Sequence, residues 1–225
     1  MFVLNFYFDI ELRLTNYIIK NSYKMKNNYL KRFSTLLFAI LSVVSYAQQT
    51  TWVIDKSHSS IGFDIDHLVV SQTEGTFNEY EATIKADKSD FSDATFDITI
   101  QTTSVDTKNE RRDNHLRSAD FFDSEKYPEI TFKVNSFKHI SGKKYEVTGM
   151  FTMHGVTKEV TLDARFGGII TQGNFGTRAG LRITGEIDRY DFGLKYNAAM
   201  EAGGYILGKE VRIDCRLEMV KQEKA

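Results

Sequence analysis

One cysteine, one proline and one tryptophan in 225 residues set the first limits on this chain. A lone Cys215 excludes an intramolecular disulfide and every cysteine-based metal motif. Its place in an alternating run reads it as a small apolar core residue. A single proline suits long, uninterrupted strands. No block of basic residues occurs. The first 47 residues take six of the 29 Lys/Arg and two of the 30 Asp/Glu, which leaves the rest five charges negative and argues against nucleic acid as a partner. The five histidines (His58, His67, His115, His139, His154) show no HxH or HExxH spacing, and a metal site would need ligands converging from distant loops, so none is expected. Hydrogen bonding at turns and strand ends is the default role for them. Gly-x-Ser-x-Gly is missing, and no Ser-His-Asp or Cys-His arrangement can be read from spacing. Nothing supports catalysis, and the chain is read as a non-enzyme.

The longest apolar run, Phe33–Val44, is too short to span a bilayer comfortably. It follows the basic stretch Met25–Arg32 and precedes Ser45-Tyr46-Ala47, which are the three parts of a secretory signal peptide. Residues 25–47 are therefore read as a leader, with residues 48–225 exported as a soluble domain without a stable membrane anchor. No cysteine follows the small residues, so no lipoprotein anchor is expected. Residues 1–24 do not fit: Asp9, Glu11 and Arg13 interrupt any apolar run, and the composition resembles translated AT-rich upstream DNA. Translation is expected to start at Met25; the alternative is a genuinely extended leader.

What the rest has in abundance is alternation. Eight runs repeat apolar residues with the period of half-buried strands: around 58–66, 74–87 (with a phase slip that implies a bulge), 94–101, 130–134, 145–153, 160–166, 179–187 and 211–219. Within each run the shared phase puts Phe63, Phe77, Phe96, Ile98, Phe132, Phe151, Leu162 and Leu181 on the inward face, as the lining of a ligand channel. Eight long strands favour an all-β, closed antiparallel barrel, with a β-sandwich as the competitor. Such a barrel either fills itself with side chains or holds one slender ligand. Gly149, Ala164, Ala179 and Gly185 on the inward face leave room for a cavity, or mark sharp strand bends.

The alternation breaks between the third and fourth strands, over 107–128. Thr107 and Glu110 read as a capping box opening a short helix to about Leu116. Ser118 can cap a second turn carrying Phe121 and Phe122, and Tyr127-Pro128 makes the chain extended again. This insert is either a lid on the barrel or a surface crossover. Arg111, Arg112, His115 and Arg189 are candidate mouth residues. Arginines there can pair with a lipid headgroup or pin the insert by salt bridges; the nearby Asp113, Asp120, Asp123 and Asp191 favour pinning.

Read together, Ile54–Phe63, His67-Leu68 with Gly75-Thr76-Phe77, Asp113–Asp123 with Tyr127–Phe132, Val147-Thr148-Gly149 with His154–Lys158, and Arg189–Gly193 resemble the YceI family of bacterial exported proteins. The likeness spans about Trp52 to Met219; Tyr190 departs from it where many relatives have a small polar residue. The resemblance implies a lipocalin-like eight-stranded barrel, a periplasmic location and an isoprenoid or similar amphiphilic chain as ligand. The expectation is a carrier or sequestering protein that needs no cofactor, beyond a bound isoprenoid or quinone-like lipid. Two other readings stay open: a quinone-linked accessory redox protein or enzyme, and a filled barrel whose surface recruits partners. A homodimer is neither required nor excluded.

Overall fold

The computed structural model describes residues 15–17, 20–21, 49–201 and 203–222. The leader expected over 25–47 lies outside the described residues, as does most of the segment before it. The chain divides into two units, Met1–Gln48 and Gln49–Ala225. The described residues of the first are helical.

The second unit is a barrel. Its elements are β1 (Thr51–Ile54), β2 (Ser60–His67), β3 (Ser71–Phe77), β4 (Tyr80–Lys85), β5 (Thr95–Gln101), β6 (Val105–Asp106), helix α1 (Glu110–Arg117), β7 (Glu129–Ser141), β8 (Lys144–Met153), β9 (Val156–Thr171), β10 (Thr177–Asp188) and β11 (Leu207–Lys221). Neighbours run β1-β4-β5-β7-β8-β9-β10-β11, and β11 returns to β1, all antiparallel. That eight-membered ring closes the sheet and excludes the sandwich.

The expected strands are broken rather than miscounted. The first expected strand is β2, preceded by a 3-10 turn at Lys56–His58, and Asn78-Glu79 splits the second into β3 and β4. The short β1 was not expected from the sequence. A further 3-10 turn, Thr102–Ser104, divides β5 from β6. Beyond these breaks β2 continues on β11, β3 on β2, and β6 on β3. No strand pairing joins β6 to β7 there; the chain between them is the insert. One end of the barrel is thus a closed ring, and the other splays open around α1.

The ring end is packed solid. Phe91, fully buried at the base of the 86–94 loop, lies 5.0 Å from the Trp52 ring and 4.7 Å from Phe166. Phe137 stacks on Tyr145 at 4.6 Å and meets Phe96 at 5.3 Å. Trp52 Nε1 donates to Ala86 O, and Tyr145 Oη to Asp90 O, tying the loop down over the rings. Aromatic pairs of this kind contribute about 0.5–1.5 kcal/mol each beyond the area they bury.

Two inward glycines serve close approach and do not supply vacant space. A Cβ on Gly149 would sit 2.4 Å from Lys133 O, where β7 bulges between Val134 and Ser136. One on Gly185 would sit 2.5 Å from the Leu162 side chain. Of the two sequence readings for these residues, the strand bend holds at Gly149, and at Gly185 a neighbour fills the space.

Candidate functional site

The splayed end holds an open cavity of about 300 Å³, walled by β2, β3, β5, β7 to β11 and the insert. Phe63, Phe77, Ile98, Phe132, Phe151 and Leu162 line it. Phe63 and Phe77 meet at 5.5 Å, and Phe63 lies across Gly75, where a Cβ would come within 2.4 Å of its ring. Phe96 and Leu181 are buried but do not line the cavity. Phe96 packs on Phe137 at the ring end, and Leu181 pairs with Phe166 and Leu217. Phase sorts inward from outward; depth along the barrel depends on strand register.

The insert closes one side of this cavity. Its cap is Asn109, whose side chain accepts from Arg112 N, and not Thr107. Lys108 adopts φ +59°, which turns the chain between the two. Thr107 instead faces inward: its N and Oγ1 donate to the buried Asp113 carboxylate at 2.8 and 2.5 Å. After α1 the chain forms turns. They bury Phe122 against Phe77 at 5.7 Å. Phe121, His115 and Tyr196 form an aromatic triangle with centroids 4.8–5.0 Å apart, joining the insert to the loop before β11.

The arginines do pin the insert, but not by salt bridges. Arg112 donates to Thr107 Oγ1 and Thr107 O. Arg117 donates to Thr103 O and Val105 O at 2.7 and 2.8 Å. Carbonyls at the end of a sheet edge are acceptors that a planar guanidinium can satisfy in pairs. Arg112 and His115 touch the cavity, while Arg111 is exposed and does not. His115 Nε2 bonds Asp120 Oδ2 at 2.9 Å.

Arg189 is 2% exposed. Nε donates to Gly208 O, and Nη1 to Leu194 O and Tyr196 O at 2.6 and 2.9 Å. Tyr190 offers its ring face 4.6 Å away. Burial pulls the guanidinium pKa below its usual value. Its donors are spent on the backbone that shapes the mouth, so it is an anchor and not a free headgroup receptor. Asn197 completes the same structure, its amide bridging Leu207 N and Leu207 O. Sequence reasoning missed Leu194, Tyr196, Ile206 and Leu207, which also line the cavity. The available signal was a cluster of apolar residues inside a stretch read as a loop.

Among the described residues Asp55, His58 and Glu218 bring three ligand-type atoms within 4.8 Å. Arg178 Nη1 already lies between the carboxylates, 2.7 Å from Asp55 Oδ2 and paired with Glu218. Hydrogen bonds from Ser57, Arg178 and His58, in that order, hold the Asp55 carboxyl far below the usual carboxylate range. Ser57 is no activated nucleophile. Its Oγ donates to Asp55, and both Ser57 Oγ and Asp55 Oδ2 sit at the same His58 nitrogen, Nδ1, 3.0 Å away. A hydrolytic relay needs the two on opposite nitrogens. Cys215 also borders the cavity, and burial pushes its thiol up to about 12.

A family model, the YceI-like domain, matches residues 52–219. The chain belongs to the YceI family. A UPF0312 protein of Staphylococcus aureus strain N315 is 38% identical over 170 residues, covering 75% of this chain and 96% of that protein. The solved Campylobacter jejuni YCEI protein is 33% identical with a TM-score of 0.60, covering 76% of this chain and 97% of that one. A polyisoprenoid binding domain from Saccharophagus degradans shares the fold at 16% identity and a TM-score of 0.55, covering 76% and 98%. The YceI motifs read from the sequence prove here to be largely architectural. The Asp55–His58 turn joins β1 to β2; His154, at φ +50°, packs at a tilt against Tyr127 at 4.5 Å, and a Cβ at Gly155 would strike the Tyr127 ring. Arg189 anchors the mouth. The Tyr190 departure adds a ring against that anchor.

Proposed function

We propose that this YceI protein holds a long apolar chain of the polyisoprenoid class in its cavity and carries or sequesters it in the periplasm, exported by the leader at 25–47 and acting as the 48–225 domain. One observation carries the reading: the cavity is walled almost wholly by apolar side chains, while the arginines around it are committed to protein oxygens. If each carbon group needs about the 30 Å³ of a water molecule, 300 Å³ takes about ten. At about 0.8 kcal/mol per methylene this is roughly 8 kcal/mol of transfer free energy, before the cost of immobilising the chain. Two isoprene units fit inside, and a longer chain extends through the mouth. That the Saccharophagus degradans structure is described as polyisoprenoid binding supports the ligand class through fold alone.

The reading assigns the protein no reaction of its own. A quinone-linked redox role gains nothing from Cys215, whose raised pKa keeps it a thiol. Mass spectrometry on the protein purified gently from its cell tests the proposal. An organic extract should yield a stoichiometric isoprenoid-type lipid, and the intact mass should begin at Gln48. A polar metabolite in its place, or protein recovered lipid-free that fails to bind a prenyl alcohol on addition, refutes it. A redox-active quinone that turns over moves the function to the redox reading.

A further inference from the structure

Two apolar loops meet at the rim of the cavity. The β2–β3 turn exposes Leu68 (40%), Val69 (82%) and Val70 (86%), three apolar residues in succession. Leu68 N donates to Ile206 O, which sets this tip beside the loop that exposes Tyr205 (62%) and Tyr196 (41%). Across 67–71 and 196–208 only Glu201 bears a formal charge, with Lys195 and Lys209 at the ends of the second loop, in a chain that is 26% charged. Both loops run directly into the cavity wall, through His67 on one side and Tyr196, Ile206 and Leu207 on the other.

Conformation adds an independent sign. Leu68 and Val69 adopt φ +55° and +64°. Glycine or asparagine suits that region, whereas a β-branched residue there is an outlier. Folding alone would favour Asn-Gly at this turn. Keeping Leu-Val trades local ease for apolar side chains thrust into solvent.

We infer that this two-loop rim docks on the surface of a lipid bilayer, so that a chain enters the cavity without crossing water. Leu68, Val69, Val70, Tyr196 and Tyr205 together expose an apolar patch of the few-hundred-Å² class that on a monomer is often functional. It falls short of the ~800 Å² per partner of a standard protein interface. It protrudes, so it offers no groove to a peptide, and a fluid surface accommodates it as a partner of fixed shape would not. Tyrosines at its edge suit the headgroup layer. With so little charge, docking works by insertion of apolar groups into neutral lipid and is insensitive to salt. The inference builds on the lipid-binding reading of the cavity, but its test separates the two.

The test is flotation of the purified protein with vesicles of phosphatidylcholine alone, with lipid content measured on the same preparations. The protein should float with the vesicles equally at low and high salt. The double substitution Leu68→Asn with Val69→Gly should keep or raise the melting temperature while weakening vesicle binding roughly tenfold or more. Val70→Asp should weaken it at least as far. Lipid-bearing protein that does not float overturns docking and leaves the cavity reading intact; protein that floats but carries and binds no lipid overturns the cavity reading and leaves docking intact. A dimer that the double substitution dissolves would make a second copy the occupant and overturn the inference.

Discussion

Replacing Arg189 with methionine tests whether the cavity mouth is held by one buried guanidinium. Methionine keeps much of the apolar stem, so the change removes hydrogen bonds and charge more than packing. Three carbonyls, of Leu194, Tyr196 and Gly208, lose their donors. Charge-assisted bonds are worth about 1.5–3 kcal/mol each. Water can reach the Tyr196 and Gly208 oxygens, which are only partly buried, but not the Leu194 oxygen without local opening. The expected loss is therefore about 3–5 kcal/mol, below the additive sum and still a large share of a typical 5–15 kcal/mol stability. Trp52, the only tryptophan and 3% exposed at the ring end, reports global unfolding in urea by its fluorescence. Cleavage after the exposed Lys195 by trypsin reports opening of the loop. Both should change, with cleavage responding at urea concentrations that leave Trp52 buried. Arg189→Lys, which keeps the charge but not the planar fork, should fall between. An unchanged urea midpoint together with unchanged cleavage at Lys195 would refute the anchoring role.

Two further outcomes are expected. Phe121→Ala with Phe122→Ala opens the insert side of the cavity, and lipid exchange should speed at least about tenfold while the β-sheet circular dichroism stays intact; because both rings border a cavity, the stability cost should stay near the low end of the about 3–5 kcal/mol seen for Phe→Ala in cores. An unaltered exchange rate would make the insert a mere connection. Asp55→Asn tests the β1–β2 turn: hydrogen bonds from Ser57, Arg178 and His58 hold the folded carboxyl far below the usual carboxylate range, so its carboxylate contributes stability that is complete above about pH 5 and drains away as pH falls through 4 and below. Urea unfolding should show the variant less stable than the parent at pH 7, with a clearly smaller deficit near pH 2; an equal deficit at both would assign the effect to something other than the ionised carboxylate.

How much of this was legible in the sequence depends on what a strand pattern encodes. Alternation in segments such as Lys144–Met153 is local, so strand number and the inward set could be read. Position along the barrel axis is not local: it follows from registers such as Ile183↔Ala164 and Val147↔Leu162, fixed between segments far apart in the chain. Hence Phe96 and Phe132 look alike in sequence, yet one seals the ring end and the other faces the cavity. The break in alternation located the insert, but its cap moved from Thr107 to Asn109, because the left-handed Lys108 separates two residues equally able to cap.

The arginines show the deeper limit. Carboxylates close in sequence made salt bridges the natural expectation for Arg112 and Arg189, yet Arg189 spends its donors largely on main-chain carbonyls and Arg112 donates to the hydroxyl and the carbonyl of Thr107. Every residue carries a carbonyl, so such a partner leaves no trace in residue type. Where a barrel splays and its ladder ends, carbonyls are left without strand partners, and a buried fork donor is the group that satisfies several at once. The arginines of the mouth follow from the opening of the barrel there. Because they are bound to the frame, selectivity in the cavity falls to its shape and its apolar wall.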